Sequence, residues 1–244
     1  MTDYVIVIPA RYKSSRYPGK PLIDLNGKSM LQRTYEQCQK AVDSKLIYVA
    51  TEDERIVQHC HEHGMNVILT TDNCLTGTDR VAEVAQQVKA GYYINVQGDE
   101  PLFNPDDITA VVNALKLYPG EVLNGYCPID TAEQYNSLYV PKVVFKPNGE
   151  LLYMSRSAIP GNKTGKFVKA WRQVCIYAFP YDALEAFAAT PEKTTLEAEE
   201  DIEILRFLEI GFDVRMIELS TLSIPIDAPE DVEKVLKRLA DDAR

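Results

Sequence analysis

The chain contains 244 residues, of which 45% are hydrophobic and 25% are charged, values typical of a globular protein with a substantial core. Acidic residues outnumber basic residues by 36 to 26, which gives a net charge of −10 at pH 7. This charge argues against nucleic acid or a membrane surface as a partner, so any anionic ligand requires a local group of basic side chains. No apolar run approaches about 20 residues, and the first residues contain no basic leader or cleavage site, which predicts a cytoplasmic protein.

Short apolar runs alternate with segments of helical periodicity over the first 117 residues. The run Tyr4 to Ile8 is continuous and rich in β-branched residues, as in a strand buried on both faces of a parallel sheet. The alternation predicts an α/β fold in one domain (1–244), with a Rossmann-like, doubly wound, mostly parallel sheet that binds ligands at the carboxyl ends of its strands. The predicted strands are 4–8, 46–50, 66–70 and 92–96, and the predicted helices are 29–41, 55–63, 79–89 and 106–117.

The second half of the chain predicts a smaller lobe within the same domain, roughly 128–200. Residues 142–146 and 151–154 flank the turn sequence Pro-Asn-Gly and predict a hairpin. A polar loop over 161–169 follows. The remaining predicted elements are strands 175–179 and 214–219 and helices 181–189, 199–209 and 229–239.

Cysteine and histidine patterns favour no metal site. The five cysteines are scattered without Cys-x-x-Cys spacing, which predicts neither disulfides nor a zinc site. The three histidines alternate at positions 59, 61 and 63. A spacing of two residues directs neighbouring side chains to different faces of a helix, which argues against a shared metal ion.

The loop after the first predicted strand gathers four cations in ten residues: Arg11, Lys13, Arg16 and Lys20. It follows the carboxyl end of a buried strand, where such sheets bind ligands, and it predicts a site for a polyanion. The alternative is a solvated basic loop. The chain contains neither a Gly-x-Gly-x-x-Gly loop after a strand nor a P-loop, which disfavours NAD and P-loop chemistry.

Five motifs in this order resemble the CMP-Kdo synthetase family, where Kdo is 3-deoxy-manno-octulosonate. They are IPARYKSSRYPGKPL (8–22), TGTDR (76–80), NVQGDEP (95–101), YMSRSAIP (153–160) and IDAPEDV (226–232). The resemblance covers nearly the whole chain. It implies a fold of the nucleotide-diphospho-sugar transferase type, transfer of CMP from CTP to the anomeric hydroxyl of Kdo, a requirement for Mg²⁺, and a homodimer formed through the smaller lobe.

The resemblance also implies the residues of the nucleotide site. Arg11, Arg16 and Lys20 fall on the family's CTP-binding loop and are expected to hold the phosphates, and the segment at 76–80 is expected to select cytosine. The full predicted nucleotide site consists of Pro9, Ala10, Arg11, Arg16, Lys20, Thr76, Gly77, Thr78 and Arg80.

Two aspartates match the family's magnesium site. Asp99 follows the predicted strand 92–96, and the resemblance pairs it with Asp227. Mg²⁺ favours a few carboxylates together with water and phosphate oxygens, which suits such a pair. The alternatives are that Asp227 caps the final helix and that Asp231 is the relevant carboxylate of this segment. The predicted catalytic residues are Asp99, Asp227, Lys20 and Arg11.

The resemblance assigns the acidic sugar to Gln97, Arg156, Gln173, Tyr177, Glu197 and Glu200, with Arg156 suited to pair with the sugar carboxylate. Lys142 matches a basic position of the family, and a lysine on a surface strand is the alternative. Gln173 stands where the family has histidine, and Ile204 stands where it has glutamine. Both departures concern the sugar, so 8-amino-8-deoxy-Kdo or another nonulosonic acid is the alternative acceptor.

Two other functions remain compatible with the sequence. One is a pyrophosphorylase that uses a sugar 1-phosphate on the same type of sheet. The other is a homologue that binds nucleotide without turnover.

Overall fold

Strands and helices alternate along the chain in the computed structural model, which describes residues 3–13, 17–221, 225–226 and 228–242. The strands of this described part are β1 (Tyr4–Pro9), β2 (Ile47–Thr51), β3 (Val67–Leu69), β4 (Tyr92–Val96), β5 (Val122–Pro128), β6 (Lys142–Phe145), β7 (Leu151–Ser155), β8 (Trp171–Pro180) and β9 (Val214–Glu218). The α-helices are α1 (Met30–Ala41), α2 (Glu54–Glu62), α3 (Gly77–Gln87), α4 (Pro105–Leu117), α5 (Ala132–Asn136), α6 (Tyr181–Ala188), α7 (Thr195–Glu200), α8 (Ile204–Glu209) and α9 (Pro229–Asp242).

The strands form one mixed sheet in the order β3-β2-β1-β4-β8-β5-β9, with β6 and β7 joined to it through β8. β1 pairs in parallel with β2 and β4, β2 with β3, and β5 with β9, whereas β8 runs antiparallel to both of its neighbours β4 and β5. The predicted Rossmann-like, mostly parallel α/β fold is confirmed. The carboxyl ends of β1, β2 and β4 therefore lie at one edge of the sheet.

Both faces of the sheet are covered, which explains why its first strand reads as an unbroken apolar run. Along β1, Ile6 and Ile8 face a core shared with α1, α2 and α4. The alternate residues Val5 and Val7 face a second core shared with α3, α6 and α8. Because side chains alternate across a strand, such a run buries every residue only when helices lie on both sides.

The strand β5 was not predicted from the sequence. Its segment Val-Leu-Asn-Gly-Tyr-Cys-Pro contains three residue types that are rare in strands. Gly125 is required there, because a Cβ atom at this position would lie 2.4 Å from Leu219 Cδ1 and 3.1 Å from the Val174 carbonyl oxygen. The close approach coincides with a shift in the β5–β8 register between Asn124 and Gly125.

The predicted helix 199–209 is wrong as a single element. The chain breaks between α7 and α8 at Asp201, which adopts the left-handed conformation with φ 51° and ψ 50°. Arg156 stabilises the break by donating hydrogen bonds to the carbonyl oxygens of Glu200 (2.5 Å) and Asp201 (2.8 Å). These long-range bonds override the local helical pattern.

Among the described helices, none has the length and apolarity needed to cross a membrane.

Candidate active site

A cleft of about 260 Å³ opens at the carboxyl edge of the sheet, next to the ends of β1 and β4. Its walls come from the loop after β1, the start of α3, the loop after β4, and the turn between α7 and α8. The cleft occupies the position at which open α/β sheets bind ligands. The predicted residues that line it are Pro9, Ala10, Arg11, Lys20, Thr76, Gly77, Arg80, Gln97 and Asp99.

Lys20 and Asp99 form the centre of this cleft. Lys20 Nζ donates to Asp99 Oδ2 at 2.8 Å and to the Ile226 carbonyl oxygen at 2.8 Å. The Ile226 amide donates to the Asp99 carbonyl oxygen at 3.0 Å. The side chains of Lys20 and Asp99 remain 15% and 29% exposed, so both can meet a ligand. Arg16 and Asp227, which were predicted beside them, lie outside the described residues.

The loops after β1 and β4 approach each other closely at Gly98. A Cβ atom there would lie 3.1 Å from the Pro9 carbonyl oxygen and 3.4 Å from Ile8 Cγ2. Any larger residue would force the Gln-Gly-Asp segment away from the first loop. Gly98 therefore allows Asp99 to stand beside Lys20, while Arg11 lies exposed on the same wall.

The N-terminus of α3 forms the opposite wall. Thr76 caps the helix: its hydroxyl oxygen accepts from the Asp79 amide, and the Asp79 carboxylate accepts in return from the Thr76 amide at 2.7 Å. The amides of Gly77 and Thr78 donate to the Glu203 carboxylate at 3.1 and 3.0 Å. Unpaired amides and the helix dipole make such an N-terminus favourable for a negative charge.

Glu203 is half-buried at the cleft surface. Burial raises the pKa of its carboxyl above the ordinary value, while the hydrogen bonds from Thr78 and Gly77 oppose that shift. The Thr78 hydroxyl adds a third hydrogen bond at 2.6 Å. Glu203 thus joins the start of α3 to the turn between α7 and α8.

Arg80 lines the cleft but is only 4% exposed. Its guanidinium pairs with the Glu52 carboxylate at 2.8 Å and donates to the Thr70 hydroxyl. Glu52 follows β2 and Thr70 follows β3. Arg80 therefore fixes three neighbouring segments at the carboxyl edge of the sheet.

The oxygen donors around Asp99 fit a hard divalent cation. The partly exposed carboxylate and the nearby Ile226 carbonyl oxygen are ligand types that Mg²⁺ accepts, together with water and phosphate oxygens. The Cys74 thiol, which also lines the cleft, does not compete for such an ion. Burial raises its pKa to about 12, so the metal-binding thiolate is scarce at neutral pH.

Comparison with known proteins identifies the family and the fold. The sequence profile of the cytidylyltransferase family matches residues 5–219. The 3-deoxy-manno-octulosonate cytidylyltransferase of Protochlamydia amoebophila (strain UWE25) is 38% identical, and the match covers 96% of this chain and 94% of the relative. The chain belongs to the CMP-Kdo synthetase family of cytidylyltransferases. This confirms the resemblance drawn from the five motifs.

Further relatives of this cytidylyltransferase carry two different names. The Escherichia coli 3-deoxy-manno-octulosonate cytidylyltransferase is 36% identical over 98% of this chain and 97% of the relative. The 8-amino-3,8-dideoxy-manno-octulosonate cytidylyltransferase of Shewanella baltica (strain OS195) is 38% identical over 98% of this chain and 100% of the relative. A solved CMP:2-keto-3-deoxy-manno-octonic acid synthetase in complex with CTP superimposes with a TM-score of 0.92 at 35% identity, covering 99% of this chain and 100% of that one.

Of the residues predicted for the sugar, Gln97 lines the cleft of this cytidylyltransferase. Tyr177 is buried on β8, and burial raises the pKa of its phenol well above the ordinary value. Gln173 is 7% exposed and donates to Asn124 Oδ1 at 2.9 Å. Ile204 is 1% exposed and belongs to the core.

Arg156 and Glu200 lie behind the cleft wall. The Arg156 guanidinium is occupied by the backbone carbonyls that stabilise the α7–α8 turn. The Glu200 carboxylate accepts from the hydroxyl groups of Ser155 (2.6 Å) and Tyr153 (3.2 Å) and from the Arg156 amide at 2.7 Å. The structure therefore gives both residues a part in shaping the wall that carries Glu203.

Glu197 and Lys142 are fully buried. The two carboxylate oxygens of Glu197 pair with Arg206 at 2.6 and 2.7 Å, and neither residue is exposed. The structure does not bring Glu197 to the cleft. Lys142 donates to the carbonyl oxygens of Ser137 and Arg156, and burial lowers its pKa. The alternative of a surface lysine is wrong, because the side chain is enclosed between backbone segments.

Three charged cleft residues were missed by sequence reasoning: Lys193, Asp201 and Glu203. They lie in a stretch where charged residues follow one another, which reads as a solvated helical face. The signal in the sequence that could have found Asp201 and Glu203 is the run Glu-Glu-Asp-Ile-Glu at 199–203. Its acidic residues would lie on several faces of a regular helix, including the face that packs on the core.

Proposed function

We propose that this protein transfers CMP from CTP to the anomeric hydroxyl of a 3-deoxy-ulosonic acid, with Kdo or its 8-amino-8-deoxy analogue as the acceptor. The observation that carries the proposal is the Lys20–Asp99 pair at the carboxyl edge of the sheet, at 2.8 Å and open to the cleft. The family membership supports the same reaction.

In the proposed reaction the anomeric oxygen attacks the α-phosphorus of CTP. A bond forms between that oxygen and phosphorus, the hydroxyl proton is released to solvent, the bond from the α-phosphorus to the bridging oxygen breaks, and pyrophosphate leaves with the electron pair. Negative charge spreads over the phosphoryl oxygens during the transfer, so fixed cations at that point lower the barrier. Arg11 and Lys20 are the described cations on the wall where the phosphates would lie.

Asp99 is the residue that we assign to Mg²⁺, with Asp227 as its partner. When bound, the ion would neutralise phosphate oxygens and favour departure of pyrophosphate. Lys20 holds the Asp99 carboxylate in place and lies in the region of the cleft that we assign to the phosphates. Arg16 would add a further phosphate contact.

The acceptor would occupy the end of the cleft formed by Gln97 and Glu203. Both side chains present oxygen atoms that can accept hydrogen bonds from sugar hydroxyls or from an ammonium group. Relatives of both names match at the same 38% identity, so the two sugars stand as equal candidates.

The test is pyrophosphate release with CTP and Mg²⁺ against Kdo, 8-amino-8-deoxy-Kdo, a sialic acid and a sugar 1-phosphate. We expect turnover of one of the first two and a decrease of about 100-fold or more in the Asp99→Asn variant. Asp213→Asn is the matched control, because Asp213 is exposed and precedes β9 at the opposite edge of the sheet. Turnover of the sugar 1-phosphate alone would identify a pyrophosphorylase. CTP binding without any turnover would identify a silent homologue.

We also propose that the protein is a cytoplasmic homodimer that associates through the smaller lobe. Leu138, Tyr139 and Val168 of this lobe are 64%, 84% and 78% exposed, so these apolar side chains are available for contact with a second copy. Light scattering after size-exclusion chromatography tests the mass, and Tyr139→Glu is expected to favour the monomer. A monomeric wild-type protein would contradict the proposal.

A further inference from the structure

Three side chains of metal-binding type lie together at the C-terminal end of α2, away from the nucleotide cleft. His59, Glu62 and His63 are separated by three and four residues, so they share one face of the helix. One potential ligand atom from each lies within 4.8 Å of the other two. The rings of His59 and His63 are 4.4 Å apart between centroids. The expectation from the sequence, which was based on a spacing of two residues, holds for His61, which lies on another face. It does not hold for His59 and His63, which are four residues apart.

The His59 ring is held in a defined orientation. Its Nε2 lies 2.7 Å from Ser29 Oγ, and Ser29 is 7% exposed. The same hydroxyl oxygen accepts from the Gln32 amide as the N-cap of α1. When Ser29 also accepts from Nε2–H, the Nδ1 atom of His59 carries the lone pair. Metal-bound histidines ordinarily donate their second ring N–H to a fixed acceptor in this manner.

The charges around the cluster favour a cation. Glu62 places a carboxylate beside the two imidazole rings. Gln58 donates to Glu62 Oε1 at 2.8 Å and orients the carboxylate. The three residues lie at the end of α2, where the carbonyl groups of the last turn carry partial negative charge.

We propose that His59, Glu62 and His63 form a binding site for a transition-metal dication of the Zn²⁺, Ni²⁺ or Co²⁺ class. Two imidazoles and one carboxylate match the preference of these ions, whereas Mg²⁺ prefers oxygen donors. The site is separate from Asp99. Through Ser29, the bound ion fixes the end of α2 against the start of α1, whose first residue Met30 lines the cleft.

The experiment is calorimetric titration of the full chain with Ni²⁺ in the presence of excess Mg²⁺, which occupies carboxylate sites such as Asp99. We expect one bound ion in the wild-type protein and an affinity at least tenfold lower in His63→Ala, a loss of the size that changes around a metal site produce. His63 is exposed, so its removal leaves the core intact. His61→Ala is the matched control, because it removes an exposed histidine from the same helix turn but from another face.

Co²⁺ absorption provides the second measurement, since a thiolate ligand gives an intense charge-transfer band that imidazole and carboxylate ligands do not. The site is supported if Co²⁺ gives an absorption spectrum that lacks this band, and if that spectrum disappears in His63→Ala but remains in His61→Ala. Equal loss in both variants, a thiolate band that persists in His63→Ala, or failure to bind Ni²⁺ at millimolar concentration would overturn it.

Discussion

A substitution in the buried pair of Glu197 and Arg206 can test whether Glu197 stabilises the fold or binds the substrate. The family resemblance predicts a sugar contact for Glu197, whereas the structure encloses it against Arg206 with hydrogen bonds of 2.6 and 2.7 Å and no exposure on either side. Removing one partner of a buried pair leaves the other charge without compensation, which costs about 3 to 5 kcal/mol. We expect Glu197→Gln to lower the free energy of unfolding by that amount.

Arg206 has further contacts that make its position matter for the cleft. Its Nη1 lies 3.4 Å from Asp79 Oδ1, and its guanidinium carbon lies 3.8 Å from the centre of the Phe187 ring. Asp79 is also the partner of Thr76 in the cap of α3. Without Glu197, Arg206 would keep only the longer contact to Asp79 among these two carboxylates, and its displacement would disturb both the core and the wall proposed for the nucleotide.

Urea and thermal unfolding measure the effect. For a domain of this size, 3 to 5 kcal/mol corresponds to a decrease in Tm of about 6 to 20 °C. Glu199→Gln is the control, because Glu199 is exposed on the same helix. The double variant Glu197→Leu with Arg206→Met removes both charges and is expected to regain most of the lost stability. A Glu197→Gln protein of unchanged stability, with a raised KM for the sugar alone, would refute the reasoning.

Two further changes test other parts of the structure. Burial raises the folded-state pKa of Glu203. The stability that this group contributes to the fold is therefore present below its unfolded pKa and is lost as the pH rises through its folded pKa. Unfolding at pH 4 to 7 should show Glu203→Gln gaining stability relative to wild type as the pH rises, and a constant difference would contradict this. Gly125→Ala should cost about 1 to 3 kcal/mol by overpacking against Leu219. In urea unfolding, the cost of Gly125→Ala should be smaller in a Leu219→Ala background than in the wild type, although Leu219→Ala is itself destabilising because Leu219 is buried. Gly161→Ala, whose new Cβ meets only an oxygen 3.9 Å away, should be neutral.

The parallel half of the fold was predictable because its local signals agree with its tertiary structure. The strands β1, β2 and β4 are apolar on both faces, and the helices between them begin at clear caps such as Ser29 and Thr76. The strand β5 was missed because its Asn, Gly and Pro residues oppose strand formation locally. It forms since β8 and β9 pair with it on either side.

Part of the candidate site was predictable from its position after a strand. Lys20 lies in the basic loop after β1 and Asp99 lies in the loop after β4, whereas Gly77 and Gln97 were predicted only from the family resemblance; the structure brings all four into one cleft. The acceptor side was not predictable in the same way. Its contribution from Glu203 depends on the break at Asp201, which is stabilised by contacts from residues more than 40 positions earlier in the chain.

Hydrogen bonds join the two walls of the cleft. The start of α3 is bonded twice to the segment that contains the α7–α8 turn and α8, through the amides of Gly77 and Thr78 to Glu203 and through Asp79 to Arg206. Any ligand that approaches the α3 N-terminus competes with, or adds to, the Glu203 carboxylate at the same amides. The two walls therefore share their polar groups, and a substitution at Glu203 should affect CTP binding as well as the sugar.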